Sequence, residues 1–271
     1  MTLKIFAKYV LVLWIISASL TLMAVDNNHK KESVKVVVLV ITSDDLPVYR
    51  HLAEIWKTYM HTDPEHFSGY FLKGNPNLQQ DVEVIEDTIW CRTDENIIPG
   101  ILNKTVLSMK YLIDQNVEFD YLLRTNLSSF FVYPRLLECL RQYPRQRCYV
   151  GHCIPNNPIN SNTFVSGAGF ILSRDLVEMI AVESSHVIGN HFDNDDVVIG
   201  RFLRDRRVVP IHLPQEMILN WKQWLEKKAH LETGIHFRVR NFEGFFRERT
   251  EPLIHKYLRD FFYGNLTSQN P

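Results

Sequence analysis

The chain has 271 residues, 45% hydrophobic and 23% charged, with 30 Lys and Arg against 31 Asp and Glu and a formal net charge of −1. That balance excludes a basic nucleic-acid binder and an acidic disordered tail, and 12% aromatic residues with modest Gly and Pro usage exclude low-complexity and collagen-like chains. Four cysteines (Cys91, Cys139, Cys148, Cys153) are too few for a disulfide scaffold and lack paired zinc-site spacing, so free thiols are expected, with a Cys148–Cys153 bridge as the alternative.

In chain order, Lys4 and Lys8 precede an uncharged apolar run, Tyr9 to Val25, which as a helix reaches about 25 Å, the lower end of what crosses a bilayer. Leu22-Met23-Ala24 makes a poor cleavage site, so an uncleaved signal anchor is expected rather than a cleaved signal peptide or a merely apolar N-terminal helix. Residues 1–33 then form a cytoplasmic tail, anchor and short stem, and the remainder lies outside the cytosol. Sequons stand at Asn103, Asn126 and Asn265.

Val34 to Thr42 is a continuous β-branched run, the pattern of a strand buried on both faces of a parallel sheet. A helix from about Val48 to Met60 follows, with Leu52, Ile55, Trp56 and Tyr59 on one face. Strands are expected at Tyr70–Leu72, Val82–Ile85 and Phe119–Arg124. Helices are expected over Ile97–Ile113, with Leu102, Val106, Met109 and Ile113 inward, and around Leu136, Leu137 and Leu140. This alternation predicts an α/β sandwich with a mainly parallel central sheet flanked by helices, one domain over residues 34–260 with a tail at 261–271. Ligands of such sheets lie beyond the carboxyl ends of the strands, which puts Thr42–Asp45 and Arg124–Ser129 on one rim.

Two later segments carry chemistry. Phe164 to Ser173 sets Ser166, Gly167, Ala168 and Gly169 among apolar residues, permitting close backbone approach to a ligand or to another element. Asp193-Asn194-Asp195-Asp196 precedes an apolar helical start, where the acids either favour a helix N-terminus or present a general base.

Taken in order, these segments resemble the β-1,3-galactosyltransferase and fringe-type glycosyltransferases. The resemblance is carried by Ile41-Thr42-Ser43, Arg50 and Trp56, Phe71-Leu72-Lys73-Gly74, Glu86-Asp87, Lys104-Thr105, Arg124 to Phe130, Ser166 to Ser173 and Asp195 to Gly200. It implies a GT-A-like, Rossmann-type fold and an inverting transfer of a hexose or N-acetylhexosamine from a UDP-sugar to a glycan or glycoconjugate hydroxyl. It also implies a single-pass type II protein of the Golgi or secretory lumen, a soluble microbial or viral member being the other possibility. The implied base is Asp196, with Asp195 second. Thr42, Ser43, Arg50, Lys104, Arg124, Asn126 and Ser128 fall on the donor side, and Ser166, Gly167 and Gly169 on the acceptor side.

The sequence departs from the family pattern where an Asp-Asp-Asp run is expected, since Asn126-Leu127-Ser128 stands there. Neutral oxygens hold Mg²⁺ or Mn²⁺ poorly. Either no cofactor is required, or Mn²⁺ or Mg²⁺ is held by other groups such as His236. Arg238 and Arg240, alternating on one side of a strand, would neutralise the diphosphate without a cation. The other class of reading is a nucleotide-sugar- or carbohydrate-binding protein of the same fold without turnover. Trp90, Trp221 and Trp224 are sugar-stacking candidates or core residues.

Overall fold

A computed structural model describes residues 33–155, 164–189, 193–241 and 244–264. The expected anchor at Tyr9–Val25, the sequon at Asn265 and most of the C-terminal tail lie outside the described residues. Among the described residues no helix is long and apolar enough to cross a membrane.

The elements in order are β1 (Val36–Ile41), α1 (Pro47–Lys57), β2 (Phe67–Gly74), β3 (Val82–Ile85), β4 (Thr88–Cys91), α2 (Gly100–Asp114), β5 (Tyr121–Asn126), β6 (Ser129–Phe131) and α3 (Tyr133–Leu140). They continue as β7 (Tyr149–Ile154), β8 (Phe164–Ser173), α4 (Arg174–Val182), α5 (Ser184–Gly189), α6 (Asp195–Asp205), β9 (Ile211–His212), β10 (Gln215–Ile218), α7 (Trp221–Lys228), β11 (His236–Val239) and α8 (Gly244–Tyr263). An 8-stranded sheet runs β3-β4-β2-β1-β5-β8-β7-β9, and a 3-stranded sheet runs β10-β11-β6.

The large sheet is parallel at its centre, with β1 between β2 and β5 and β4 beyond β2, while β5–β8, β8–β7 and β4–β3 pair antiparallel. Every residue of β1 is buried, and its alternation divides the core. Val36, Val38 and Val40 pack with Leu52 and Trp56 of α1, Tyr133 and Leu136 of α3 and Leu258 of α8. Val37, Leu39 and Ile41 pack with Leu102 and Val106 of α2, Leu176 of α4 and Ile199 of α6. Two apolar faces are why this strand is β-branched throughout.

Four features differ from the sequence expectation. Val82–Ile85 is a strand as expected, but it forms a hairpin with β4, Thr88–Cys91, which is not among the expected strands. Residues 129–131 form a strand rather than a loop, because Ser129 and Phe131 pair with Arg238 and His236 over a hundred residues later. Leu112 rather than Ile113 completes the buried face of α2. The last helix runs to Tyr263, beyond the expected domain end at 260. Its end is fixed by the Tyr263 hydroxyl, which donates to the Phe131 carbonyl at 2.9 Å and accepts the Tyr133 N–H at 2.8 Å. All four cysteines are free. Trp224 is a core residue, Trp90 receives Lys73 over its ring at 5.3 Å, and Trp221 is solvent-exposed.

Candidate active site

The parallel register sets Ile41 level with Asn126, so the chain leaves β1 and β5 side by side. Beyond these two ends lies a cavity of about 520 Å³, within the roughly 300–1,000 Å³ of small-molecule sites. Thr42 and Ser43 form one wall and Asn126 and Ser128 another, so the rim anticipated from the strand ends exists. Arg238 and Arg240 arrive at the end of β11, Lys104 from α2, and Arg247 from α8.

The acidic pair at the start of α6 divides sharply. Asp195 is buried, and its Oδ2 lies 2.6 Å from Arg124 Nη2, with Thr105 Oγ1 donating at 3.4 Å. Burial pushes its carboxyl pKa up, while the Arg124 guanidinium and the Thr105 hydroxyl oppose that shift. Asp196 is half-buried. Its Oδ2 accepts the Gly167 N–H at 2.7 Å and its Oδ1 accepts the Val197 N–H at 2.9 Å. Glycine at 167 eases this approach: a Cβ there would lie 3.0 Å from Asp196 Oδ2 and 3.3 Å from Arg124 Nη1, so both side chains would have to give way slightly. Arg124 also donates to the Gly167 carbonyl, so Asp195, Arg124, Gly167 and Asp196 form one connected chain.

Several sequence candidates take other positions. Arg50 is on the exposed face of α1, two residues from buried Val48 and Leu52, and does not line the cavity. Arg124 lies behind the cavity in its ion pair. Lys104 lines the cavity, but its Nζ is bound to Glu95 and donates to the Thr42 carbonyl at 3.3 Å. Ser166 is buried and does not line the cavity, but its hydroxyl accepts from Arg238 Nη1 at 3.4 Å. Gly169 faces inward, where a Cβ would meet the Phe131 ring at 2.5 Å. The sequons at Asn103 and Asn126 have their side-chain amides engaged, by Thr93 Oγ1 at 3.0 Å and by the Gly167 carbonyl at 3.1 Å.

A solved glycosyltransferase involved in the glycosylation of the major capsid of PBCV-1 superposes with a TM-score of 0.45 at 10% identity, covering 81% of this chain and 99% of that one. β-1,3-Galactosyltransferase 1 of Mus musculus and of Homo sapiens is 24% identical, over 71% of this chain and 74% of theirs. The galactosyltransferase family model matches residues 160–214, which hold both the Ser166–Ser173 segment and the Asp195–Asp196 pair. In sequence the chain is therefore similar to glycosyltransferases, most directly across this segment.

The chain has a poor donor set for a divalent cation at Asn126 and Ser128. Asn126 Oδ1 already accepts hydroxyls from Ser128 at 2.8 Å and Ser129 at 3.4 Å, and both positions offer only neutral oxygen. His236 is fully buried, stacked on Phe131 at 4.1 Å and within 3.1 Å of Gln215 Nε2. Burial draws its pKa down to about 3, so the ring stays neutral. Among the described residues no three His, Cys, Asp or Glu side chains gather to hold a metal. The residues at 126, 128 and 236 therefore do not fit such a cation. Sequence reasoning missed Arg247 and Tyr49, whose side chains meet in the cavity wall at 5.0 Å. No local pattern marks a cavity residue on a helix joined to the site only by folding.

Proposed function

We propose that this chain is a glycosyltransferase that moves a hexose or N-acetylhexosamine from a UDP-sugar to a glycan hydroxyl with inversion at the anomeric carbon. Asp196 accepts the proton of the acceptor hydroxyl as that oxygen bonds to the anomeric carbon. The bond from the anomeric carbon to the diphosphate oxygen breaks on the opposite face, and UDP leaves. Galactose is the donor sugar favoured by the relatives' names. The observation that carries the reading is a cavity at the carboxyl ends of β1 and β5 lined by arginines and by Asn194, with Asp196 two residues further along and near enough to Arg238 to favour its charge.

The leaving diphosphate needs positive charge, and Arg238 and Arg240 supply it in place of a cation. UDP binding and transfer should persist in EDTA. Arg238→Ala should weaken UDP binding by about 1.5–3 kcal/mol, the scale of a charge-assisted hydrogen bond. Titration calorimetry of UDP with and without EDTA reads both. Activity abolished by EDTA and restored by Mn²⁺ would overturn this account.

A second reading, nucleotide-sugar binding without turnover, draws on the two backbone N–H bonds that already occupy Asp196. We further infer that residues 9–25 tether the domain to a secretory membrane as a type II protein. The full chain should then sediment with membranes, and a chain lacking residues 1–30 should stay in the supernatant. Full-length protein found wholly in the supernatant would remove the anchor.

A further inference from the structure

The C-terminal helix sets Arg247, Glu251 and His255 four residues apart, in one row along α8. Arg247 opens the row at the cavity wall. Its Nε donates to Glu251 Oε1 at 2.9 Å, and its guanidinium lies 5.0 Å over the Tyr49 ring. Glu251 is fully buried, and the same oxygen accepts the Asn241 N–H at 2.8 Å. His255, also fully buried, closes the row against the Phe130 ring at 6.2 Å.

A carboxylate withdrawn completely from water is costly unless paired, and replacing such a pair with apolar residues often stabilises a fold. Burial raises the Glu251 pKa, and Arg247 is the largest influence opposing that rise. The pair instead fixes direction. With Nε held by Glu251 and one face packed on Tyr49, the guanidinium is placed before a ligand arrives, which reduces the ordering cost of binding. The cavity it enters has a neutral strand-end pair, Asn126 and Ser128, while its acids are Asp45 and Glu95, the latter bound to Lys104. Its lining also includes the apolar residues Ile41, Leu46, Ile97 and Ile101. A ligand that combines a weakly polar group with a phosphate group facing the arginines matches this mixed lining.

We propose that Arg247 is a diphosphate-binding residue of this cavity and that Glu251 is its positioning residue. Together with Arg238 it brings to the leaving group the charge a bound cation would otherwise carry. The assignment of the ligand as a nucleoside diphosphate rests on the function proposed above, whereas the anion-binding role of Arg247 rests on the cavity alone.

Calorimetric titration of the full chain in EDTA with three probes, UDP, uridine and inorganic pyrophosphate, separates the two. Arg247→Ala should weaken UDP and pyrophosphate by about 10–100-fold and leave uridine unchanged, the range of a lost charge-assisted contact. Arg247→Gln, which retains a donor for the buried Glu251, should show the same selective loss, so an unpaired carboxylate is not its source. Glu251→Gln should weaken UDP by about 3–10-fold with uridine again unmoved, an effect that a purely structural role would not confine to phosphate-bearing probes. UDP and pyrophosphate affinities unchanged in Arg247→Ala, or a parallel fall for UDP and uridine, would overturn the proposal. Pyrophosphate binding that depends on Arg247, in a protein that ignores UDP and uridine, would sink the nucleotide reading while leaving the anion site standing. A protein that binds none of the three would sink both.

Discussion

Asp196→Asn is expected to lower sugar transfer by on the order of 10²–10⁴-fold, the usual contribution of a general base, while UDP affinity barely changes. The side chain is half-buried rather than in the core, and it accepts hydrogen bonds from two backbone N–H groups. Asn keeps one acceptor oxygen and turns an NH₂ toward the other N–H, so one of the two bonds is lost. The stability cost is then about 0.5–1.5 kcal/mol, too small to unfold the domain and readable by thermal melting. Rates are measured as UDP released from a panel of UDP-sugars with a mixed glycan acceptor. An Asp196 that only favours the start of α6, behind the N-cap Asn194, makes a different forecast, because its substitution would then cost stability while turnover was untouched. Parental turnover in Asp196→Asn would remove the base and favour the binding-protein reading.

The architecture was legible where a residue's environment is dictated by its own neighbours. Val36–Ile41 is apolar at every position because both its faces are covered, and that single strand led to a parallel α/β sandwich and to the rim at Thr42 and Asn126. The α1 face of Leu52 and Trp56 was readable for the same reason, and that register also turns Arg50 outward, against its assignment to the donor side. What the sequence did not disclose are features made by distant partners. Ser129–Phe131 is only three residues long and becomes a strand by pairing with His236–Arg238. Arg124 stands next to the family's acidic run, yet its role is decided by a carboxylate 71 residues away. Arg247 has no local signature, since α8 reaches the cavity wall only because Leu258 and Tyr263 are buried against the β6–α3 layer.

Asp195→Asn should do the opposite of its neighbour's substitution, with a loss of stability of about 3–5 kcal/mol, the cost of breaking a buried ion pair. Arg124 and Asp195 are 3% and 5% exposed, and neither can turn to solvent without moving β5 or α6. Removing the carboxylate leaves a guanidinium that cannot lose its proton and whose Nε already has no partner among the described residues. For a domain of this size, such a loss lowers the melting temperature by on the order of 10 °C. Arg124→Gln combined with Asp195→Asn, which replaces the charged pair with two neutral amides, should recover part of that loss. The interaction energy of the double-mutant cycle then measures the pair directly. Transfer by Asp195→Asn, measured well below its melting temperature, should fall far less than in Asp196→Asn. Asp195 reaches the Gly167 N–H that orients Asp196 through Arg124, which holds the Gly167 carbonyl, and touches Asp196 itself only through its backbone N–H and its charge, so its loss shifts the base without removing it. A variant that melts within about 1 kcal/mol of the parent but has lost 10²-fold or more in turnover would move the proton acceptor to Asp195 and demand a different path for the acceptor hydroxyl.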